Sequence, residues 1–557
     1  MKYKKLKLSS LFIILNIFVL FSSVLFIEEI YKLQVSESDY FKNQALSNRQ
    51  KVDVIEAKRG SIFDRNFNEV SETINAFNIG IYPEKLKDYE IVSDLLAPLL
   101  QIDKVKIYEQ LNNNKNYFYL KRNVDFEVGT KIKNWNYEGI NVEKSTKRII
   151  YSKSLKQIIG YVDPDGNGIE GLELYFDNSL KGTDGELRYE AAPNGDFIPQ
   201  GKSSILDPIH GEDLILTIDA ELQYISENLC AEAIKATEAF KCSVVFVNSE
   251  NGEIIISAEK SNTNNKYFDI NLISGRALYE PGSALKIFTV GSLLENDKVN
   301  ENDTYYVEDK IEIIEKSCNE NYKGLKGCFR DFLKHDPYEL TVREIIERSS
   351  NVGTIKVTEG SNVSEIESYL IKFGFGNKTG VELTGETRGG FVDYKSCLTC
   401  LSSLSIGYSV NVSQYQMVRA YSIIANGGND VKLTLVQKDN DEEEDKEIIS
   451  VEMSERLKKL LINVVEGDNG TGRSLRKEGY IIGGKTGTSR THLEGVGYSE
   501  DRFNTSFTGF VETKEGPIVG SVLLWGAKTN PTSEYVTGGS TAAPIFKKII
   551  SYFVPRE

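Results

Sequence analysis

From Leu8 to Ile27 the chain carries no charge, and Ser9, Ser10, Asn16, Ser22 and Ser23 are its only polar interruptions. A helix rises ~1.5 Å per residue, so about 20 residues cover the ~30 Å hydrocarbon core of a bilayer. Lys2, Lys4, Lys5 and Lys7 precede the run, and Glu28 and Glu29 follow it. That asymmetry puts residues 1–7 in the cytoplasm and everything after the span outside it. The competing reading is a cleaved signal peptide. The run is longer than a usual signal core, and Leu25-Phe26-Ile27-Glu28-Glu29 offers no small-x-small cleavage site. It therefore reads as an uncleaved single-pass anchor over residues 8–27, and no second span is visible.

Beyond the anchor, 557 residues leave room for two or three domains. The net charge of −15 argues against a nucleic-acid surface. The acidic run Asp439 to Glu447 reads as a solvated loop between strands. His210, His335 and His492 are scattered without ligand spacing, so neither a metal nor another cofactor is expected. Of six cysteines, Cys230 and Cys242 fall in a helical and a strand-like context, and Cys318 and Cys328 flank a short loop. Cys397-x-x-Cys400 lacks a second pair for zinc. Outside the cytoplasm a Cys318–Cys328 disulfide becomes plausible; the spacing leaves Cys397–Cys400 open.

The chemistry concentrates on Tyr279-Glu280-Pro281-Gly282-Ser283-Ala284-Leu285-Lys286, a Pro-Gly turn entering an apolar helix. Three residues apart, Ser283 and Lys286 share a helix face. A hydroxyl in a first helical turn, with an amine one turn on, has the makings of an activated nucleophile. Ser-x-x-Lys alone is a weak signal. Ser257-Ala258-Glu259-Lys260 repeats it on a strand-like run, where the two side chains point to opposite faces. Two further motifs strengthen the first copy. Ser349-Ser350-Asn351 follows the amphipathic stretch Leu340 to Arg348, and Lys485-Thr486-Gly487-Thr488 follows the strand-like Tyr480 to Gly484. Lys378-Thr379-Gly380 and Ser409-Val410-Asn411 are decoys, the first lying in a glycine-rich loop.

In this order the three motifs resemble those of penicillin-binding proteins and class A β-lactamases. The resemblance becomes specific to class B penicillin-binding proteins at Arg59-Gly60-Ser61-Ile62-Phe63-Asp64-Arg65-Asn66 and at Gly160 through Gly168-Ile169-Glu170-Gly171-Leu172-Glu173. Phe67 and Val70-Ser71 depart from the family pattern after the first segment, and Ser409 stands where relatives usually have Gly. In the first segment Arg and Asp side chains are expected to tie strands together. The short gap between Gly160 and Gly168 resembles the division-specific, FtsI-like type rather than the elongation type. No glycosyltransferase signature precedes residue 211, unlike bifunctional class A proteins.

The resemblance implies an α+β multidomain chain: an anchor, a strand-rich non-catalytic pedestal over 28–210, and a transpeptidase domain over 211–557 with a central antiparallel sheet flanked by helices. Residues 72 to 147 read as charged helical pieces and short strands. By the same resemblance the chain cross-links peptidoglycan stem peptides through a serine acyl-enzyme. Ser283 would attack the terminal D-Ala-D-Ala, Lys286 serve as base, Ser349 relay the proton, and Asn351 hold Lys286 and a substrate amide. Lys485 would help lower the pKa of Lys286. Thr486, Gly487 and Thr488 would bind substrate along the strand, with the N–H groups of Ser283 and Thr488 as oxyanion hole. Implied partners are stem peptides, β-lactams as covalent inhibitors, the membrane, a SEDS-type glycan polymerase and divisome proteins. The alternatives are an elongation-type transpeptidase and a D,D-carboxypeptidase. A β-lactam sensor would be expected to carry more spans.

Overall fold

The structure, a computed structural model, describes residues 8–192, 198, 203–262, 274–319, 327–394, 397–437, 446–493, 495, 497–528 and 535–554. The expected cytoplasmic tail, residues 1–7, and most of the acidic run, 439–445, lie outside the described residues. The chain divides into two compact units, Met1–Arg59 with Lys181–Glu212, and Gly60–Leu180 with Asp213–Glu557.

The first unit begins with the helix Leu8–Tyr31. The stretch Leu11–Ser36 is long and apolar enough to cross a membrane, and none of its most apolar window is buried in protein. Phe18 and Leu20 are 68 % and 70 % exposed, as side chains facing lipid would be. A π-helical turn, Lys32–Ser36, and the helix Ser38–Arg49 follow. The unit closes as a three-stranded antiparallel sheet of Gln50–Ile55, Gly185–Glu190 and Ser203–Leu206.

In the second unit, the strand Glu69–Ile81 pairs antiparallel with Ile140–Ile150 along its length and with Phe118–Asp125 at its end. These strands are longer than the sequence led us to expect. Helices Tyr89–Leu100 and Lys104–Asn113, capped by Asp88 and Asp103, pack Val92, Leu96, Leu100, Ile107 and Leu111 onto Phe77, Ile79 and Ile81. Residues 60–180 join 213–557 for local reasons. Ile62–Phe63 runs parallel to Leu214–Ile215. The buried Asp64 carboxylate accepts from the backbone N–H groups of Asn66 and Asn68 at 2.9 and 2.8 Å, and from Ala220 N at 3.4 Å. Arg148 and Glu173 form a buried ion pair at 2.6 Å.

The main sheet has five antiparallel strands in the order Ile254–Ser261, Lys241–Asn248, Ile518–Lys528, Gly497–Val511, Ile482–Leu493. Side chains alternate between its faces. Val244, Phe246, Val522 and Leu524 meet helices Ala220–Thr237 and Ala542–Ile550 on one side. Val245, Val247, Leu523 and Trp525 meet helices Lys286–Glu295, Gln414–Ala425 and Val451–Glu466 on the other. The Lys-Thr-Gly strand thus ends up at a sheet edge, beside the helix that carries Lys286.

All six cysteines are paired: Cys230–Cys242, Cys318–Cys328 and Cys397–Cys400. The first pair escaped sequence reading because its members lie on a helix and a strand; packing the helix on the sheet brings them together. Non-reducing peptide mapping should recover all three links. Replacing Cys230 and Cys242 by Ala should lower the unfolding free energy by about 2–4 kcal/mol in denaturant titration, and free thiols at these positions in the native chain would contradict the pairing.

Candidate active site

Ser283 lies in a 3-10 turn, Gly282–Leu285, that leads into the α-helix Lys286–Glu295. The turn is held from three directions. Tyr421 donates its buried hydroxyl to Ala284 O at 2.8 Å, Gly282 N donates to Gly407 O at 3.0 Å, and Ser489 Oγ donates to Glu280 O at 2.9 Å. The Glu280 carboxylate accepts from Ser409 N at 3.1 Å and from the Tyr498 hydroxyl at 2.9 Å, while burial raises its pKa. Behind the turn, Phe288 meets Phe373, Phe375 and Tyr421 edge-on. Ser283 itself stays half-buried.

Two glycines let backbones meet here. A Cβ on Gly487 would lie 2.7 Å from Pro281 O and 2.3 Å from Ser506 Oγ. A Cβ on Gly407, whose φ is +85°, would lie 1.9 Å from Gly282 O. The Lys-Thr-Gly strand therefore runs directly against the turn that carries Ser283.

Lys286 is wholly buried. Its Nζ donates to Ser349 O at 2.6 Å and to Asn351 Oδ1 at 2.7 Å. Local structure aims both acceptors. Ser349 ends the helix Val342–Arg348 in a left-handed conformation, φ 63°. Ser350 then caps the helix Asn351–Val357, accepting from Gly353 N at 2.8 Å. Ser349 thus meets Lys286 through its carbonyl. Asn351 also donates Nδ2 to Arg330 O at 2.8 Å.

Burial lowers the Lys286 pKa to about 7, with the Asp331 carboxylate pulling the other way. Lys485, on the strand Ile482–Leu493, is also wholly buried. Burial, together with the charge of Lys286, pushes its pKa well below the usual lysine range. Burial and the charge of Lys485 were expected together to depress Lys286; burial is the leading cause for Lys286, and the coupling between the two amines falls on Lys485. Lys485 Nζ makes a long 3.4 Å contact with Thr486 O.

The hydroxyls of Thr486 and Thr488 have partners of their own. Thr486 Oγ1 donates to Thr471 Oγ1 at 2.8 Å, and Thr488 Oγ1 accepts from Gly538 N at 3.3 Å. The decoys separate cleanly. Ser257 is buried against the Tyr415 hydroxyl at 2.8 Å, while Lys260 is exposed. Thr379 and Gly380 of the other Lys-Thr-Gly are bound by Glu386, which accepts from both their backbone N–H groups. Ser409 adopts φ 64°, a left-handed turn that usually favours glycine. Asp331 and Tyr421 carry no motif and went unnoticed in the sequence, and Glu280, though inside the Ser-Lys stretch, was given no role there.

Comparison with known proteins agrees with this geometry. A profile of the "Penicillin binding protein transpeptidase domain" matches residues 242–551, and one of the "Penicillin-binding Protein dimerisation domain" matches residues 54–216. Stage V sporulation protein D of Bacillus subtilis is 28% identical, over 90% of this chain and 78% of its own length. Penicillin-binding protein PbpB of Mycolicibacterium smegmatis is 27% identical, over 97% and 89%. Peptidoglycan D,D-transpeptidase FtsI of Buchnera aphidicola is 29% identical, over 82% and 78%. Among solved structures, penicillin binding protein 3 of Mycobacterium tuberculosis complexed with aztreonam superposes with a TM-score of 0.65 at 22% identity, covering 90% of this chain and 96% of that one. Penicillin Binding Protein 2X of Streptococcus thermophilus also gives a TM-score of 0.65 at 20% identity, covering 90% and 80%. With a dimerisation domain joined to a transpeptidase domain, the chain belongs to the class B penicillin-binding proteins.

Proposed function

We propose that the chain is a membrane-anchored peptidoglycan D,D-transpeptidase acting through an acyl-enzyme on Ser283. The observation that carries this reading is the buried Lys286 amine, one turn from Ser283, held by Ser349 O and Asn351 Oδ1 at a pKa of about 7. Neutral Lys286 takes the Ser283 hydroxyl proton as Oγ attacks the carbonyl of a terminal D-Ala-D-Ala. The tetrahedral oxyanion is bound by the N–H groups of Ser283 and Thr488, where each such donor is worth about 2.7–4 kcal/mol. The proton passes to the departing D-Ala through the Ser349 hydroxyl; a stem-peptide amine then attacks the acyl carbonyl, the bond to Ser283 Oγ breaks, and the proton the amine loses returns by way of Lys286 to Ser283 Oγ. Asn351 and the Thr486–Thr488 edge orient the donor peptide. β-Lactams enter the same step and remain on Ser283.

The proposed division of labour gives residues 28–210 to a non-catalytic module and 211–557 to the reaction. The anchor over 8–27 would leave residues 1–7 in the cytoplasm and the catalytic unit outside. Septal synthesis, with a SEDS-type glycan polymerase and divisome partners, is the favoured setting. Its support is the short segment between Gly160 and Gly168, folded as a hairpin of Tyr161–Val162 on Gly168–Glu170.

Ser283→Ala should abolish covalent labelling by fluorescent penicillin while the chain still inserts into membranes; a labelled variant would disprove the nucleophile. On wall fragments, product analysis should show cross-linked dimers, whereas D-Ala release alone would make this a carboxypeptidase. The acylation rate should rise with pH through about 7, because Lys286 must lose its proton to act; a stopped-flow profile flat across that range would remove Lys286 as base. Lys485→Ala should slow acylation at least about tenfold, with Lys378→Ala near wild type. Equal effects would mean that the other Lys-Thr-Gly is the functional one.

A further inference from the structure

A polar insertion, from about Asn300 to Asp336, separates the helix Lys286–Glu295 from the Ser-Ser-Asn segment, and it places one carboxylate where no motif predicted it. Asp331 Oδ1 accepts from Asn351 N at 2.5 Å and from Val352 N at 3.0 Å. Its Oδ2 accepts from Ser350 Oγ at 2.7 Å and meets His335 Nε2 at 3.1 Å. The residue before it, Arg330, offers its carbonyl to Asn351 Nδ2 at 2.8 Å. Asn351 is therefore gripped at its backbone and its side-chain amide by two consecutive residues of the insertion. Its remaining polar atom, Oδ1, holds Lys286 Nζ.

The grip is mounted on a stapled hairpin. Lys310–Glu312 pairs with Cys328–Arg330, and the Cys318–Cys328 disulfide ties the loop back to this strand. Asp331 N donates to Asp309 O at 2.9 Å, so the carboxylate leaves the hairpin from a bonded backbone. The charged and titratable groups around Asp331 are few. Lys286 feels its charge. His335 bonds it, with Nδ1 turned to Asp336 O at 2.9 Å and the ring stacked on Tyr338. Arg348 lies over the Tyr338 ring at 5.3 Å.

We propose that Asp331 is a positioning residue for acyl transfer, fixing Asn351 and through it the amine of Lys286, with the Cys318–Cys328 hairpin as its mount. The inference rests on the acyl-enzyme reading above. It goes beyond that reading in giving the insertion a part in the reaction. Two effects of the carboxylate separate under substitution. Asp331→Asn keeps the shape and can still accept from the Asn351 and Val352 amides, but it removes the negative charge that Lys286 feels. Loss of that charge favours the neutral amine and shifts the Lys286 titration to lower pH.

The test is covalent labelling of the full-length, detergent-solubilised protein by fluorescent penicillin, with rates taken from about pH 5.5 to 9, across the lysine titration. Asp331→Ala, which removes the acceptors that fix Asn351, should label about tenfold more slowly at its optimum, and a wild-type rate there would overturn the proposal. Asp331→Asn should keep an optimum rate near wild type, with the acid limb of its profile displaced to lower pH and its melting transition close to wild type. The paired change Cys318→Ala with Cys328→Ala, which leaves every residue touching Lys286 in place, should also slow labelling. A wild-type rate with an unmoved limb in Asp331→Asn would overturn the proposal. So would a slower rate with an unmoved limb, since that is what a purely structural cap predicts. Should either Asp331 variant not fold, the cysteine pair decides: slower labelling supports the mount, and wild-type labelling refutes it. A wild-type chain that takes no label at all defeats the acyl-enzyme reading itself, and this inference with it.

Discussion

The site depends on taking two ammonium groups out of water. A lysine whose pKa falls from 10.5 to about 7 loses its preference for the charged form, at about 1.4 kcal/mol for each unit. Burial does most of this for Lys286, and burial together with the charge of Lys286 lowers the pKa of the second buried amine, Lys485. The penalty falls on the folded state. It is tolerated because the helix Lys286–Glu295 is otherwise locked into the larger core, with Ile287, Phe288, Val290, Leu293 and Leu294 all buried. The same packing that stabilises the domain dries the amine proposed as the base.

Dryness without direction would leave an idle base. Direction comes from a junction between two short helices. Ser349 closes one in a left-handed conformation and Ser350 caps the next, so the carbonyl of Ser349 and the side chain of Asn351 face the same amine. On the opposite side the strand Ile482–Leu493 presents Lys485, Gly487 and Ser489 on one face by its two-residue repeat. Gly487 allows contact with the turn, and Ser489 bonds it. Three segments far apart in sequence converge because each sits at the end or edge of a regular element.

Much of this was legible in the chain itself. The uncharged run at Leu8–Ile27 marks its helix because no other environment suits so long an apolar surface. The Ser-Lys, Ser-Asn and Lys-Thr-Gly motifs declare themselves once their decoys are weighed by local context. What stayed hidden depends on contacts between distant residues. Asp331 sits in a polar stretch where an acidic residue is unremarked, and only folding sets it against Ser350 and Asn351. The long strands Glu69–Ile81 and Ile140–Ile150 were obscured by charged residues such as Glu143, whose carboxylate is taken up by Tyr117, Tyr119 and Asn141 from the sheet. Cys230 and Cys242 needed the helix to be laid on its strand before they were neighbours.

The close approach at Gly407, Gly282 and Gly487 carries an evolutionary corollary. Even a methyl group at Gly407 or Gly487 would strike a carbonyl oxygen of the nucleophile turn, and Gly282, at φ 56°, is conformationally constrained as well. Side-chain variation along that seam is closed off unless the turn that carries Ser283 itself moves.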